Sequence, residues 1–582
     1  MKIGRRTFLG GVLATAAMPT LGAEEGRIAR VGIMTDTHVG TTMDSCSKVR
    51  AALQLFRAKG AEMVVNCGDI ADQHYPDGYR CYRRTVNEVY PEASSRPKEV
   101  FVYAFHDVCN YKPGSGWNLA NAAPAFADVE RLLEAPNGPV ASFVWKGLPI
   151  LAFPQSTGMK GFLSWDDYDK AVAKACAENP GKPVFVFDHL PPAGTTFHSR
   201  HWGSEPCRRI LNKYPQVVSI SGHVHGSLVS ERQIWQGEFT AVNAGCLQTW
   251  GGFAPGSTPP PQAKPNYGVL LMDVYADRLV FFRYDVRDGG SEVAKPWVVP
   301  LPFAAREAPF HRCAHASRHA RAAFAAGAAV AVTASKDGYR IEFPEARTAC
   351  DGEGAAATSK ADAFMYRLAC QRKNAAGEWV TFTRDDIFGD FWKAEKDRTG
   401  KMSYTLSPAF FTKGGAYRIT VTPLDWFYRE TRAIAADFTA SVGQGAAVWS
   451  CADPKTELRF TEYGKPVEQS ICGRYAPVSG QGTLRLPDHA FKSLKPGERA
   501  CLVLDLDMIQ PDGEWCAWRL SFRARGGRNL VEAQTVPGAP GVLRYALAFT
   551  VPPEGLDTCD VQFNYVSPGA SLRVVSASCC RI

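Results

Sequence analysis

The stretch Ile28-Ala29-Arg30-Val31-Gly32-Ile33-Met34-Thr35-Asp36-Thr37-His38 decides the fold. Ile28 to Asp36 is apolar apart from Arg30 and its polar end, and it reads as a buried strand. It closes on an acid and an imidazole two positions apart. Residues two apart on a strand point the same way, so both side chains can reach one centre. The same arrangement recurs four times. Met63–Cys67 runs into Gly68-Asp69-Ile70-Ala71-Asp72, and Val100–Ala104 into His106-Asp107. Val184–Phe187 runs into Asp188-His189-Leu190-Pro191, and Val217–Ser221 into Gly222-His223-Val224-His225-Gly226. Glycine at 68 permits the sharp turn that presents Asp69 at a strand tip.

Working outward, helical and strand patterns alternate from Arg27 to about Val299. Lys48–Lys59 is predicted helical, with Val49, Ala52, Leu53 and Phe56 on one face. Ala141–Trp145 and Leu148–Phe153 form a hairpin around Lys146-Gly147, and Tyr267–Tyr275 and Arg278–Tyr284 another. Ser164 caps a helix through Asn179, with Asp167 completing a capping box. Alternating strands and helices predict an α/β sandwich of two sheets flanked by helices.

Carboxylates and imidazoles at five strand ends are ligand types suited to Fe, Mn or Zn. One carboxylate, Asp69, can bridge two ions about 3.5–4 Å apart, which lower the pKa of a bound water and neutralise an attacked phosphate. His106 can hydrogen-bond a phosphate oxygen or protonate a leaving group, with Asp107 placed to orient it.

The ordered set resembles the calcineurin-like metallophosphoesterase family, whose pattern is DxH, GDxxD, GNH[DE], a later His near Pro, then GHxH. The resemblance covers roughly Arg27–Tyr284, about half the chain. It implies that Asp36, His38, Asp69 and His225 hold a first divalent or trivalent ion, and that Asp69, His189 and His223 hold a second. It implies paired mixed sheets and hydrolysis of a phosphomonoester or phosphodiester. One position departs: where the family has Asn, a second-ion ligand, this chain has Phe105, which cannot ligate. Water or a polar neighbour such as Asn110 would have to take its place. Asp72 reads as a loop-capping carboxylate. His74, Tyr75, His198, His201 and Trp250 lie near the motifs and are the candidates for a substrate pocket.

The N-terminus carries an export pattern. Gly4-Arg5-Arg6-Thr7-Phe8-Leu9 is a twin-arginine motif, Phe8–Met18 an apolar run too short to span a bilayer, and Leu21-Gly22-Ala23 a cleavage site. Residues 1–23 are therefore expected to be a signal peptide, placing the protein in the periplasm or outside the cell, with no membrane anchor. The formal charge of +8 is small for 582 residues and forms no long basic run, so no nucleic-acid groove is expected. Seventeen cysteines suggest disulfides with at least one thiol over, and vicinal Cys579 and Cys580 are expected to have separate partners. No CxxC, serine elbow, P-loop or dinucleotide glycine fingerprint occurs.

After Pro300 the helical period fades. Tyr417, Ile419 and Val421 alternate with Arg418, Thr420 and Thr422; Trp518, Leu520 and Phe522 alternate with Arg519, Ser521 and Arg523. Leu543, Tyr545, Leu547, Phe549 and Val551 repeat the pattern. These predict antiparallel strands with one buried face. A Ser/Gly/Gln stretch at Ala440–Gln444 suggests a division. The expectation is a domain over 24–300, an immunoglobulin- or fibronectin-like sandwich over 301–440, and a jelly-roll-like domain over 441–582 that could bind carbohydrate. The C-terminal aromatics read as core rather than a sugar platform. An exported metal-dependent phosphoesterase is the favoured reading. Phe105 keeps an alternative alive: a weakened catalytic domain serving a glycan- or cell-surface-binding protein.

Overall fold

The computed structural model describes residues 26–582 except 41–44, 73–75, 109, 113–115, 119–121, 136–137, 139, 160–161, 249–266, 304–307, 336, 351–361, 392, 394–396, 463–464, 467–473, 476–480, 510–516, 525–528, 538–540, 557–558 and 565–570. The expected α/β half is present as two six-stranded mixed sheets. The first runs in the order Ser291–Pro300, Arg278–Asp285, Gly268–Val274, Ala29–Met34, Met63–Asn66, Lys98–Phe101. The second runs Ile234–Gln236, Thr240–Asn243, Val217–Ser221, Val184–Phe187, Leu148–Ala152, Ala141–Trp145.

Parallel pairing at the centre of each sheet aligns the strand ends. Met34 sits beside Asn66 and Asn66 beside Phe101, while Phe187 sits beside Ile220. The C-terminal ends of these strands therefore lie on common edges, where ligand sites of open α/β sheets are built. Both faces of the central strands are apolar because both are covered. Ile33, Val65, Phe187, Ile220 and Phe281 fill the space between the sheets. Met34 and Val64 face outward onto a helical layer. That layer includes the Ser45–Ala58 helix, whose predicted stripe Val49, Ala52, Leu53 and Phe56 is buried, and the Pro76–Val89 helix. A disulfide, Cys46–Cys81, joins these two helices. On the far side, Trp165–Glu178 and Glu205–Leu211 cover the second sheet through Tyr168, Val172 and Ile210. Ser164 caps the former as expected: its hydroxyl accepts from the Asp167 N–H at 3.1 Å and donates to the Asp167 carboxylate at 2.7 Å.

The disulfide expectation holds only at that one pair. Eleven described cysteines are unbridged, Cys579 and Cys580 among them. Most of the eleven are buried within strands, where a thiol serves as a small apolar side chain.

The C-terminal half is all antiparallel. Strands Ala331–Ser335, Gly338–Pro344 and Lys401–Leu406 form one sheet, and Trp379–Phe388, Met365–Lys373, Ala416–Leu424 and Ile434–Thr439 another. They share a core of Ile341, Leu368, Ile419 and Val421, so the predicted alternation over 416–422 buries its apolar side. Beyond 446, a four-stranded and a six-stranded sheet enclose Leu504, Phe522, Tyr545, Phe549 and Phe563. The described aromatics here are core. No sheet among the described residues takes strands from both sides of Pro300 or of 440–444. No helix among the described residues is long and apolar enough to cross a membrane.

One buried ion pair ties the loop after the fifth motif to the first sheet. Arg283 Nη1 lies 2.9 Å from Glu231 Oε1, both side chains 1% exposed. Trp297 Nε1 donates to Glu231 Oε2 at 3.0 Å, and Arg283 also donates to the Leu228 carbonyl at 3.0 Å. Burial alone would raise the Glu231 carboxyl, but the Arg283 charge outweighs it and holds the group well below the usual carboxylate range. Removing one partner strands the other charge, so Glu231→Ala is expected to cost about 3–5 kcal/mol in denaturant unfolding. Because folding depresses this pKa, the stabilisation is complete above about pH 5 and is lost as pH falls through the carboxylate range. The variant should accordingly show a flatter acid limb than the parent.

Candidate metal centre

All five strand-end motifs converge. Asp36 Oδ1 lies 3.0 Å from His225 Nε2, 3.9 Å from His189 Nε2 and 4.0 Å from His38 Nε2. Asp69 Oδ2 lies 3.2 Å from His189 Nε2 and 3.6 Å from His38 Nε2. His38 Nε2 faces His225 Nε2 at 3.3 Å, and His223 Nδ1 faces His189 Nε2 at 3.2 Å. The donor atoms form two overlapping groups, Asp36/His38/His225 and Asp69/His189/His223, each within 4.8 Å. A third, His38/Asp69/His106, overlaps both.

The chemistry of this donor set fits cations. Asp36 Oδ1 is buried and has no hydrogen-bond partner, although imidazole nitrogens surround it. An unpartnered buried carboxylate oxygen is costly unless a cation takes its lone pairs. The His189 Nδ1–H donates to the Cys67 carbonyl at 2.8 Å, which leaves Nε2 as a lone-pair donor, the arrangement common behind metal-bound imidazoles. The other Asp36 oxygen is anchored by the Thr35 hydroxyl at 2.8 Å and the His223 N–H at 2.9 Å.

The means of convergence differs from the expectation. Strand alternation does not aim Asp36 and His38, because the strand ends at Met34. Instead Asp36, His38, Asp69, His223 and His225 all adopt positive φ, between 40° and 71°. They are five of nine such non-glycine residues described. This backbone is unfavourable for side-chain-bearing residues and clusters at functional sites. It is held by ladder-like bonds between motifs: Asp36 N–H to Gly68 O and His38 N–H to Asp69 O, both 2.9 Å. Two glycines permit the approach. At Gly68 (φ 100°) a Cβ would lie 2.8 Å from His189 Nδ1, and at Gly222 a Cβ would lie 1.9 Å from Thr35 Oγ1 and 2.6 Å from Asp36 Oδ2.

The two secondary acids are placed the other way round from the expectation. Asp107 does not orient His106. It is fully buried and accepts from the backbone N–H groups of Ile70 (2.9 Å), Ala71 (3.2 Å) and Ala104 (2.9 Å). It thus pins the Asp69 loop to the His106 loop. Burial and the nearby Asp69 charge push its carboxyl up to about 7. Asp72, expected to cap a loop, takes the role of orienting His106: its Oδ1 lies 2.6 Å from His106 Nδ1 and 3.6 Å from His38 Nδ1. Sequence spacing favoured the adjacent acid, whereas the turn of the Phe105–Val108 helix points Asp107 inward.

Charge is balanced within the cluster. Burial would raise Asp36, but His225 and His189 outweigh it and hold the carboxyl at about 2. Burial would lower His189, but the Asp69 charge reverses this and brings it to about 9. Burial beside His189 drives His223 down to about 3.

The remaining predicted residues are less central. His198 is half-buried against Phe197, with ring centroids 3.9 Å apart. His201 lies in the short Ser199–Trp202 helix, its side chain outside the described residues, as are His74, Tyr75 and Trp250 and the Asn110 side chain. Phe105 is partly buried against the helical core, its N–H donating to Gln155 Oε1 at 2.8 Å. Sequence reading missed Trp202, whose ring centroid lies 5.8 Å from that of His223.

Residues 29–227 match the model of the calcineurin-like phosphoesterase family. This part of the chain is a metallophosphoesterase domain, and the donor residues above lie within the matched span. Among solved structures, a dimetal phosphatase from Danio rerio is similar over 47% of this chain and 98% of its own, at 13% identity and TM-score 0.29. A purple acid phosphatase from yellow lupin covers 47% and 53%, at 14% identity and TM-score 0.34. A 5'-nucleotidase precursor from Thermus thermophilus covers 47% and 54%, at 14% identity and TM-score 0.26. Comparison with curated proteins finds no match.

Gly222→Ala tests the close packing of the centre. The added methyl has no space beside Thr35 and Asp36, so bound metal measured by elemental analysis should fall to well under half the parent value. An Ala variant at exposed Gly181 should retain it, since nothing lies within 4 Å of a Cβ there.

Proposed function

We propose that the protein is an exported, metal-dependent hydrolase of a phosphomonoester or phosphodiester. The observation that carries this is the pair of donor groups built around Asp36 and Asp69, set at aligned strand ends. Asp36, His38, Asp69 and His225 would hold one ion, and Asp69, His189 and His223 the other. When bound, such ions supply Lewis-acid charge to a phosphoryl oxygen and lower the pKa of water towards neutrality.

The chain's own residues do the rest. Asp69 sits between the two groups and its oxygens are fixed, one accepting the His106 N–H at 3.3 Å. His106, with 29% side-chain exposure, stands at the open side of the cluster. Its Nδ1 is held by Asp72, so Nε2 serves a phosphoryl or leaving-group oxygen. Asp107 keeps the two loops in register through backbone bonds. The twin-arginine pattern at Arg5-Arg6 supports export of an already folded, metal-loaded chain to the periplasm or beyond. The all-β half supports attachment to a carbohydrate or cell-surface polymer.

Phe105 favours a second reading, in which loss of the family asparagine leaves a binding protein on a catalytically weakened domain. Turnover of p-nitrophenyl phosphate and its bis ester, with metal analysis of the same sample, separates the two. Chelation and Asp69→Asn should each abolish hydrolysis under the first reading; bound metal without turnover of either ester supports the second.

The two acids beside His106 should separate cleanly. Asp72→Asn is expected to lower kcat by about 10–100-fold with little change in Tm, the usual effect of removing a partner that orients a functional imidazole. Asp107→Asn should instead lower Tm, because three buried N–H groups lose a charged acceptor.

A further inference from the structure

An eight-residue loop, Thr195–Trp202, connects the metal centre to the neighbouring β-sandwich. At its start Phe197 is buried, 4% exposed, in a cluster otherwise drawn mainly from the sandwich: Phe364, Phe388, Phe391, Leu424 and Trp426. The Phe197 and Phe364 rings meet edge-on at 5.7 Å, and Phe364 stacks on Trp426 at 4.4 Å. The Arg232 guanidinium lies over both Phe197 (5.3 Å) and Tyr428 (5.4 Å), and the Phe197 N–H donates to the Arg232 carbonyl at 2.9 Å. His198 (φ 61°) and Tyr428 (φ 58°), on the two sides of this contact, both have left-handed backbone. The loop is locked internally as well. The Ser199 hydroxyl accepts from Thr195 N–H at 2.8 Å and donates to Thr196 O at 2.7 Å, and the Trp202 N–H bonds His198 O at 3.1 Å.

At its end the loop delivers Trp202. The indole meets His223, a ligand-set imidazole, at 67° and 5.8 Å, and is 36% exposed. A large aromatic surface open to solvent beside a phosphoryl-binding centre is suited to stacking a planar group.

We propose that Trp202 is a specificity-determining residue that stacks on an aromatic or planar organic group of the phosphoester, and that Phe197 is a positioning residue through which the β-sandwich holds it there. The substrate class is thus an aryl or heterocyclic phosphoester rather than an alkyl one; this rests on the hydrolase reading for the chemistry, though not for the binding.

The test uses the metal-loaded full chain and two non-hydrolysable probes, phenylphosphonate and methylphosphonate, titrated by calorimetry. The parent should bind the phenyl probe about tenfold more tightly. Trp202→Ala should bring the two affinities within about twofold by weakening only the phenyl probe, and Trp202→Phe should keep most of the preference. Phe197→Ala should shrink the preference severalfold at unchanged metal content, with recovery in Phe197→Leu. The idea is overturned by a parent that binds neither probe or binds both equally, by a preference that survives Trp202→Ala, or by a Phe197→Ala variant that keeps it in full. A parent that shows the preference yet turns over no phosphoester keeps this assignment and loses the hydrolase reading.

Discussion

A single carboxylate oxygen, Asp36 Oδ1, sets the terms for the whole α/β half. It is buried, surrounded by three imidazole nitrogens, and bonded to none of them. Such an atom is tolerable only where positive charge is meant to sit. The parallel strands bring their ends to one edge, five donors accept left-handed backbone, and two glycines give up their side chains to let the loops close around that point. Each of these local costs is borne because the two-sheet core behind them, with Ile33, Val65, Phe187 and Ile220 fully buried, is rigid enough to impose it.

The ion pair of Glu231 with Arg283 extends that logic one layer outward. It fixes the segment that follows Gly226 against the first sheet, and His315, from beyond Pro300, approaches the same carboxylate at 3.9 Å. Phe310 joins the inter-sheet cluster, and its N–H donates to Gln236 at 3.1 Å. The chain therefore does not leave the metallophosphoesterase domain where its last strand ends. It runs back across it before entering the β-sandwich.

Much of this was legible in the sequence. Apolar runs of four or five residues ending on Asp or His gave the strands and the ligands together, because burial on both faces and a polar tip leave a distinctive pattern in Val184–Phe187 and Val217–Ser221. The Ser164 cap and the turn at Lys146-Gly147 were readable because their chemistry is local. What was not readable depended on dihedral angles and distant neighbours. Spacing placed Asp107 next to His106, yet a short helical turn sends it to backbone amides, and Asp72 arrives from another strand. Trp202 carries no motif, and its place beside His223 depends on a loop conformation fixed from a different domain.

That last dependence bears on how freely the parts of this chain could be shuffled. Phe197 is an apolar plug whose socket belongs to another module, so the catalytic half excised alone would present an aromatic face to water and lose the template for its own substrate wall. Evolution could exchange the outermost module, whose described contacts with the β-sandwich include polar ones such as Arg499 to Asp337, more readily than the middle one. The β-sandwich is better regarded as an outlying wall of the reaction chamber than as a detachable accessory.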